Sequence, residues 1–126
     1  MKENTITVLK VAPGCFPEVV TLQNKLRALQ EAVSIGADYV GLIEIVYLDR
    51  KTCILLNEEG KLIGLEPNRR LGGDILCGVF YVLGTDDEGE FTSLENAELE
   101  RYCQMFAKPE IIDPKEAEAN VEFYVL

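Results

Sequence analysis

The sequence predicts an α+β fold, a mainly antiparallel mixed sheet of about five to seven short strands with two helices packed on it. Three observations predict it. The chain opens on period-two alternation, residues 25–34 and 94–106 carry apolar side chains at helical spacing, and Gly, Pro, Asn and Asp cut the remainder into runs of strand length. All 126 residues read as one acidic domain, a length at which one hydrophobic core suffices.

In order, Thr5 to Val11 alternates, with Ile6, Val8 and Lys10 facing one way and Thr7, Leu9 and Val11 the other, as in a half-buried strand. Ala12 to Pro17 holds two prolines and a glycine and reads as a turn, because proline lacks a ladder donor and fixes its own φ. Glu18 to Leu22, rich in β-branched residues, is a short second strand. Asn24 is the expected N-cap of a helix from Lys25 to Ser34 whose inner side is Leu22, Leu26, Leu29, Ala32 and Val33, with Gly36 as its left-handed stop.

Tyr39 to Leu48 and Thr52 to Asn57 form a hairpin around Asp49-Arg50-Lys51. Asn57 to Gly60 is a turn with Gly60 suited to positive φ, and Lys61 to Ile63 a further short strand. Gly64 to Gly73, with Pro67, Asn68, Arg69, Arg70 and the Gly72-Gly73 turn, reads as a long irregular loop, the kind of segment on which function tends to sit. Ile75 to Leu83 is one apolar strand and Gly84 to Glu90 an acidic turn. Ser93 then caps a helix from Leu94 to Phe106, with Leu94, Leu99, Tyr102, Cys103 and Phe106 inward and Pro109 past its end. The tail, residues 108–126, ends in Val121-Glu122-Phe123-Tyr124-Val125-Leu126, so apolar that it is expected to pair with the sheet or with another copy of the chain as a homodimer.

Composition narrows the chemistry. Histidine is absent, which removes Ser-His and Cys-His nucleophile pairs and most transition-metal sites. Cys15, Cys53, Cys77 and Cys103 are too far apart in sequence for a zinc clamp or a dithiol motif, and their apolar neighbours mark them as small core residues, with Cys15 in its Pro-Gly-Cys-Phe-Pro loop the exception. No cofactor and no metal is expected. The N-terminus lacks the pattern of a secretory signal and no apolar run is long enough to span a bilayer, so the expected place is the cytoplasm, away from membranes.

The net charge is −10, and residues 64–126 hold 14 of the 22 acids but only 5 of the 12 bases. Such a field repels phosphates on close approach, so direct nucleic-acid binding is not expected. Asp86, Asp87, Glu88, Glu90, Glu95 and Glu98, with Glu100, could form a row of carboxylates for a basic partner, in the manner of a DNA mimic; the ordinary alternative is a solvated acidic face. Asp86 to Glu90 could also gather oxygens around calcium, but it lacks the alternating ligands and closing glutamate of a calcium loop and reads as a hairpin turn.

Arg69 and Arg70 are the most basic spot in the chain. They form a candidate ligand site, since an arginine fork grips carboxylate or phosphate; the ordinary alternative is pairing to a local carboxylate. Glu44 lies within an apolar strand, where burial would raise its pKa and outward placement would not.

A series of short motifs, Pro13-Gly14, Leu29-Gln30, Asn57-Glu58-Glu59-Gly60-Lys61, Pro67-Asn68-Arg69, Asp74-Ile75 with Gly78 and Phe80, and Gly89-Glu90-Phe91-Thr92-Ser93-Leu94, resembles the DUF3846 family over residues 5 to 107. The resemblance implies small proteins of gut Firmicutes, their phages and conjugative elements, and no particular activity; it also draws attention to Asn57, Asn68 and Arg69, which with Arg70 make up the expected ligand-binding group. The leading expectation is a non-enzymatic accessory protein of a mobile element that binds a protein or a small polar ligand. The alternatives are an acidic DNA mimic that counters host defence and an enzyme that works on an anionic substrate with carboxylates and arginine.

Overall fold

The computed structural model describes residues 4–118. Its elements are β1 (Thr5–Val11), β2 (Glu18–Gln23), α1 (Leu26–Ala32), β3 (Ile43–Tyr47), β4 (Thr52–Asn57), β5 (Pro67–Leu71), β6 (Asp74–Cys77), β7 (Phe80–Thr85), β8 (Phe91–Thr92) and α2 (Asn96–Met105). A single helical turn follows at residues 114–118. The α+β architecture is as the sequence predicts. A six-stranded antiparallel sheet runs β2-β1-β7-β4-β3, with β8 paired to the end of β7, and β5 and β6 form a separate two-stranded sheet. The apolar segment from Val121 to Leu126 lies outside the described residues.

The main sheet is covered on both faces, and β4 and β7 are accordingly buried at every position. On one face Ile6, Val8, Cys53, Leu55, Tyr81 and Leu83 pack under Leu29 and Val33 at α1. On the other, Leu9, Val11, Ile54, Leu56, Phe80 and Val82 pack under Tyr102 and Phe106 of the α2 region, joined by Leu76 of the small sheet. β1 is buried on both faces and not half-buried as its alternation suggests: Ile6 and Val8 enter one core, Leu9 and Val11 the other, because helices cover both sides of the sheet. Polar atoms fasten the layers: the Tyr81 hydroxyl donates to the Ala32 carbonyl (3.0 Å), and the Tyr102 hydroxyl meets Thr52 Oγ1 (2.9 Å). The Phe80 and Phe106 rings meet edge to face, 5.1 Å apart. Cys53 and Cys77 are buried thiols whose pKa burial pushes up, Cys53 to about 12, whereas Cys15 is exposed.

Several boundaries differ from the sequence reading, each for a physical reason. The Gly64–Gly73 loop is largely the strand β5, hairpinned to β6 through Gly72-Gly73. The single strand expected over Ile75–Leu83 is two, because Gly78 takes φ +82° and sends the chain from the small sheet into the large one. Lys61–Ile63 lies in a turn over residues 58–64 and forms no strand. Gly60 does not have positive φ; a Cβ there would sit 2.8 Å from the Cys77 carbonyl oxygen, so close approach is what it permits. Lys25, not Asn24, is the N-cap of α1, and the Asn24 amide donates to the Phe91 carbonyl (3.2 Å), tying β8 to that corner. Leu26, the first residue of α1, is 69% exposed. At α2 a capping box between Glu95 and Glu98 replaces the expected Ser93 cap, and Ser93 Oγ instead accepts the Thr7 backbone N–H (2.9 Å).

Gly78 therefore has two reasons to resist a side chain: its left-handed φ, and a Cβ position 2.8 Å from Leu65 Cδ1. Gly78→Ala is expected to lower unfolding free energy by about 2 kcal/mol in urea titrations. Gly73→Ala, which has nothing within 4 Å of the new carbon, should leave the midpoint nearly unchanged.

Candidate functional site

Asn68 and Arg69 are neighbours in sequence, yet both are buried, Arg69 to 1% exposure. A regular strand would point one of them outward. The register of β5 on β6 shifts between Pro67 and Arg69, and this bulge turns both side chains into the protein. The Asn68 amide nitrogen donates to the carbonyls of Val11 (2.9 Å) and Gly78 (2.8 Å), and its oxygen accepts from Arg69 Nη1 (2.8 Å). The remaining Arg69 donors go to the carbonyl of Phe106 (Nε 3.2 Å, Nη2 2.9 Å), the Asn68 carbonyl (Nη1, 3.4 Å) and the Cys15 carbonyl (Nη2, 2.7 Å). All five N–H positions are occupied. Burial lowers the pKa of the guanidinium, and the nearby charges of Glu110 and Cys15 oppose that shift.

Asn57 is also buried and used internally. Its oxygen accepts the Glu59 N–H (2.9 Å) and its nitrogen donates to Ser34 Oγ (3.3 Å). That hydroxyl accepts from the Gly41 N–H (2.9 Å) and donates to the Gln30 carbonyl (2.7 Å), so this corner holds the segment after α1 against the end of β4. Arg70 is exposed and takes the ordinary reading of an arginine in an acidic chain: it grips both oxygens of Glu116 (2.7 and 2.9 Å) and reaches Glu110 (3.4 Å). The hydrogen bonds it donates to Glu116 raise its pKa further. The structure thus places Asn57, Asn68 and Arg69 in two internal networks and Arg70 on the surface; it does not gather the four around a common space.

The acidic residues do come together. Asp86, Asp87, Glu95 and Glu98 line one depression with Lys51, and Asp49, Arg50, Lys51, Asp87 and Glu98 line the next. Glu88 and Glu90 lie on the same turn as Asp86, whose Oδ1 accepts both their N–H groups (2.9 Å each). Glu95 and Glu98 accept each other's backbone N–H in the capping box. Several of these carboxylates therefore build their own turn or helix end, and Arg50 and Lys51 interrupt the negative row.

A cleft of about 300 Å³ lies between β3, the 58–64 turn and β6, lined by Glu44, Asn57, Glu58, Lys61, Asp74 and Cys77 among others. Lys61 is ion-paired with Asp74. Glu44 points outward, and partial desolvation followed by the charge of Asp74 raises its pKa, against the opposing pull of Lys61.

One feature escapes a reading of local sequence: the open edge of β3. The Leu42 carbonyl accepts the Glu58 N–H (2.9 Å) and the Leu48 N–H donates to the Thr52 carbonyl (3.0 Å), which fixes the even-numbered residues of this strand as those bonded to β4. Ile43, Ile45 and Tyr47 consequently turn their N–H and C=O groups away from the sheet. Their side chains lie on the α1 face opposite Asn57, Leu55 and Cys53, with Ile45 40% and Tyr47 63% exposed, and Leu42 beside them 60% exposed. The strand carries no lysine, proline or bulge, the usual guards of a free edge.

Among the described residues, no cluster of three or more His, Cys, Asp or Glu is placed to hold a metal ion, and no helix is long and apolar enough to cross a membrane. The family model described as Domain of unknown function (DUF3846) matches residues 6–107. No curated protein and no solved structure matches the chain.

Arg69→Ala leaves the Phe106 and Cys15 carbonyls and the Asn68 side chain short of donors, and is expected to cost about 3 kcal/mol or more in urea unfolding. Arg70→Ala, which loses only exposed ion pairs, should barely move the midpoint. Glu44 gives a test with a sign. Its folded pKa is raised, so ionisation weakens the native state as pH climbs above the ordinary glutamate range near ~4.3. Glu44→Gln should therefore be more stable than wild type at neutral pH, with the advantage closing as the pH falls into the acid range.

Proposed function

The chain belongs to the DUF3846 family, whose description assigns no activity, and from that premise we propose that it is a non-enzymatic accessory binding protein that recognises a protein partner through the open edge of β3. The carrying observation is the set of three outward N–H and C=O pairs at Ile43, Ile45 and Tyr47, bordered by exposed Leu42, Ile45 and Tyr47. An extended segment can add to such an edge, where backbone hydrogen bonds supply affinity and alternate side chains supply selectivity. The setting proposed for this work is the cytoplasm of a bacterium carrying a phage or conjugative element, in keeping with the motifs shared with that family.

A small polar ligand in the Glu44 cleft is the second reading, and the excess of Glu44, Glu58 and Asp74 over Lys61 favours a cationic one. DNA mimicry is less well supported, because Asp86, Glu95 and Glu98 spend carboxylate oxygens on backbone N–H groups. An enzyme that grips an anionic substrate with Arg69 would need donors that Arg69 has already given to carbonyls.

A photo-crosslinking residue at position 47, with a second protein carrying it at position 87, separates these readings in a bacterial lysate. The edge predicts adducts from position 47 that disappear with Ile45→Lys and withstand added salt. Adducts from position 87 alone, lost as ionic strength rises, would replace the edge with the acidic surface.

A further inference from the structure

The β3 edge is suited to pair with a second copy of itself, and we propose that the protein forms a two-fold symmetric dimer in which β3 runs antiparallel to β3 of its partner. This inference rests on the reading of that edge as an interaction surface and names its partner. The argument begins with parity. In an antiparallel pair, hydrogen bonds form where residues whose backbone groups point across the gap stand opposite one another. In β3 those residues are Ile43, Ile45 and Tyr47, placed symmetrically about the central Ile45. Centring the two-fold axis on Ile45 sets Ile45 against Ile45 and Ile43 against Tyr47, so every outward group of one strand meets an outward group of the other. Had the central residue faced β4, the same strand would offer only two outward residues.

The side chains agree with that register. On the α1 face it brings Ile45 beside Ile45 and Tyr47 beside Ile43, apolar and aromatic cross-strand pairs that stabilise sheets. On the opposite face it sets Glu44 against Val46, so no like charges stand directly opposed. Leu42 lies against Leu48 where the strands end. Charge permits the approach as well. At the hairpin turn Arg50 and Lys51 stand among Asp49, Asp87 and Glu98, so this end of the strand carries charges of both signs. The product is one continuous sheet in which β3 is no longer terminal in either copy. A five-residue strand pair covers less than the roughly 800 Å² per partner of a standard interface, so the dimer should dissociate on dilution.

Sedimentation equilibrium of the full chain, together with charge-swapped variants, tests the register itself. Wild type at roughly 100 µM is expected to show twice the mass of the chain and to fall toward monomer on dilution. Ile45→Lys and Ile45→Glu should each be monomeric, because the two-fold axis sets like charges face to face, while keeping wild-type circular dichroism. Mixing the two variants in equal amounts should restore a dimer, since opposite charges then meet. Phe123→Lys should leave the dimer intact. The proposal is overturned by a monomeric wild type, by a dimer that survives Ile45→Lys, by failure of the mixed variants to associate, or by a dimer lost with Phe123→Lys alone, which would move the contact to the C-terminal segment. A monomeric wild type that still gives adducts to a different protein from position 47 would refuse self-pairing while keeping the edge as a binding surface.

Discussion

The guanidinium of Arg69 and the amide of Asn68 are what the remaining architecture depends on. The small β5–β6 sheet shares no backbone ladder with the main sheet. Besides the packing of Leu76 in the main core, side-chain hydrogen bonding fixes it there: Asn68 bridges the end of β1 at Val11 to the bend at Gly78, and Arg69 joins the loop at Cys15 to the last turn of α2 at Phe106. Four points of the chain are thus held by two adjacent residues. A buried guanidinium usually needs a carboxylate, but no carboxylate among the described residues hydrogen-bonds it. It is satisfied by carbonyl and amide oxygens, including one at the C-terminus of a helix, where the peptide dipoles favour positive charge. The arrangement trades desolvation for geometric specificity, since only five donors in a planar fork reach these acceptors together.

This explains which parts of the fold were legible in the sequence. β1 showed itself through its alternation, although its burial on both faces exceeds the half-buried strand that this pattern suggests, and α2 because Leu99, Tyr102, Cys103 and Phe106 recur at helical spacing. β5 was hidden because its burial is achieved by hydrogen bonds and not by apolar side chains, and because a bulge breaks its period of two. Pro-Asn-Arg-Arg has the composition of a loop. The division between β6 and β7 was hidden for the opposite reason: both are apolar throughout, so Gly78 was the only sign that the chain changes sheets. The capping box at Glu95 and Glu98 was readable in principle from its spacing, although the better-known capping residue Ser93 stood nearby.

The residues singled out for ligand binding show a similar displacement of meaning. Asn57, Asn68 and Arg69 drew attention as polar residues in apparent loops, and their polarity is directed inward. Asn57 and Ser34 hold the segment after α1 much as Asn68 and Arg69 hold the small sheet. The motifs that tie this chain to its family are therefore, at these positions, the hydrogen-bonded joints of the scaffold. They identify the fold, and the recognition proposed for this chain falls on a surface that local sequence does not mark, because the exposure of a strand edge depends on the order of strands in the sheet, a property of the whole chain.

The two ends of the main sheet show how selective that exposure is. β2 forms one edge, and although Val19 is exposed there, Glu18, Thr21 and Gln23 are exposed with it. β3 forms the other with Ile45, Tyr47 and the adjoining Leu42 in the open, and its one acid, Glu44, is turned to the opposite face. An unguarded apolar edge favours unwanted association, yet the acids of the 86–90 turn and of α2 keep much of the remaining surface strongly negative. Copies of the chain that carry these acids repel one another on close approach, which limits non-specific association. The combination favours a single defined contact over indiscriminate aggregation, in keeping with the contact proposed at β3.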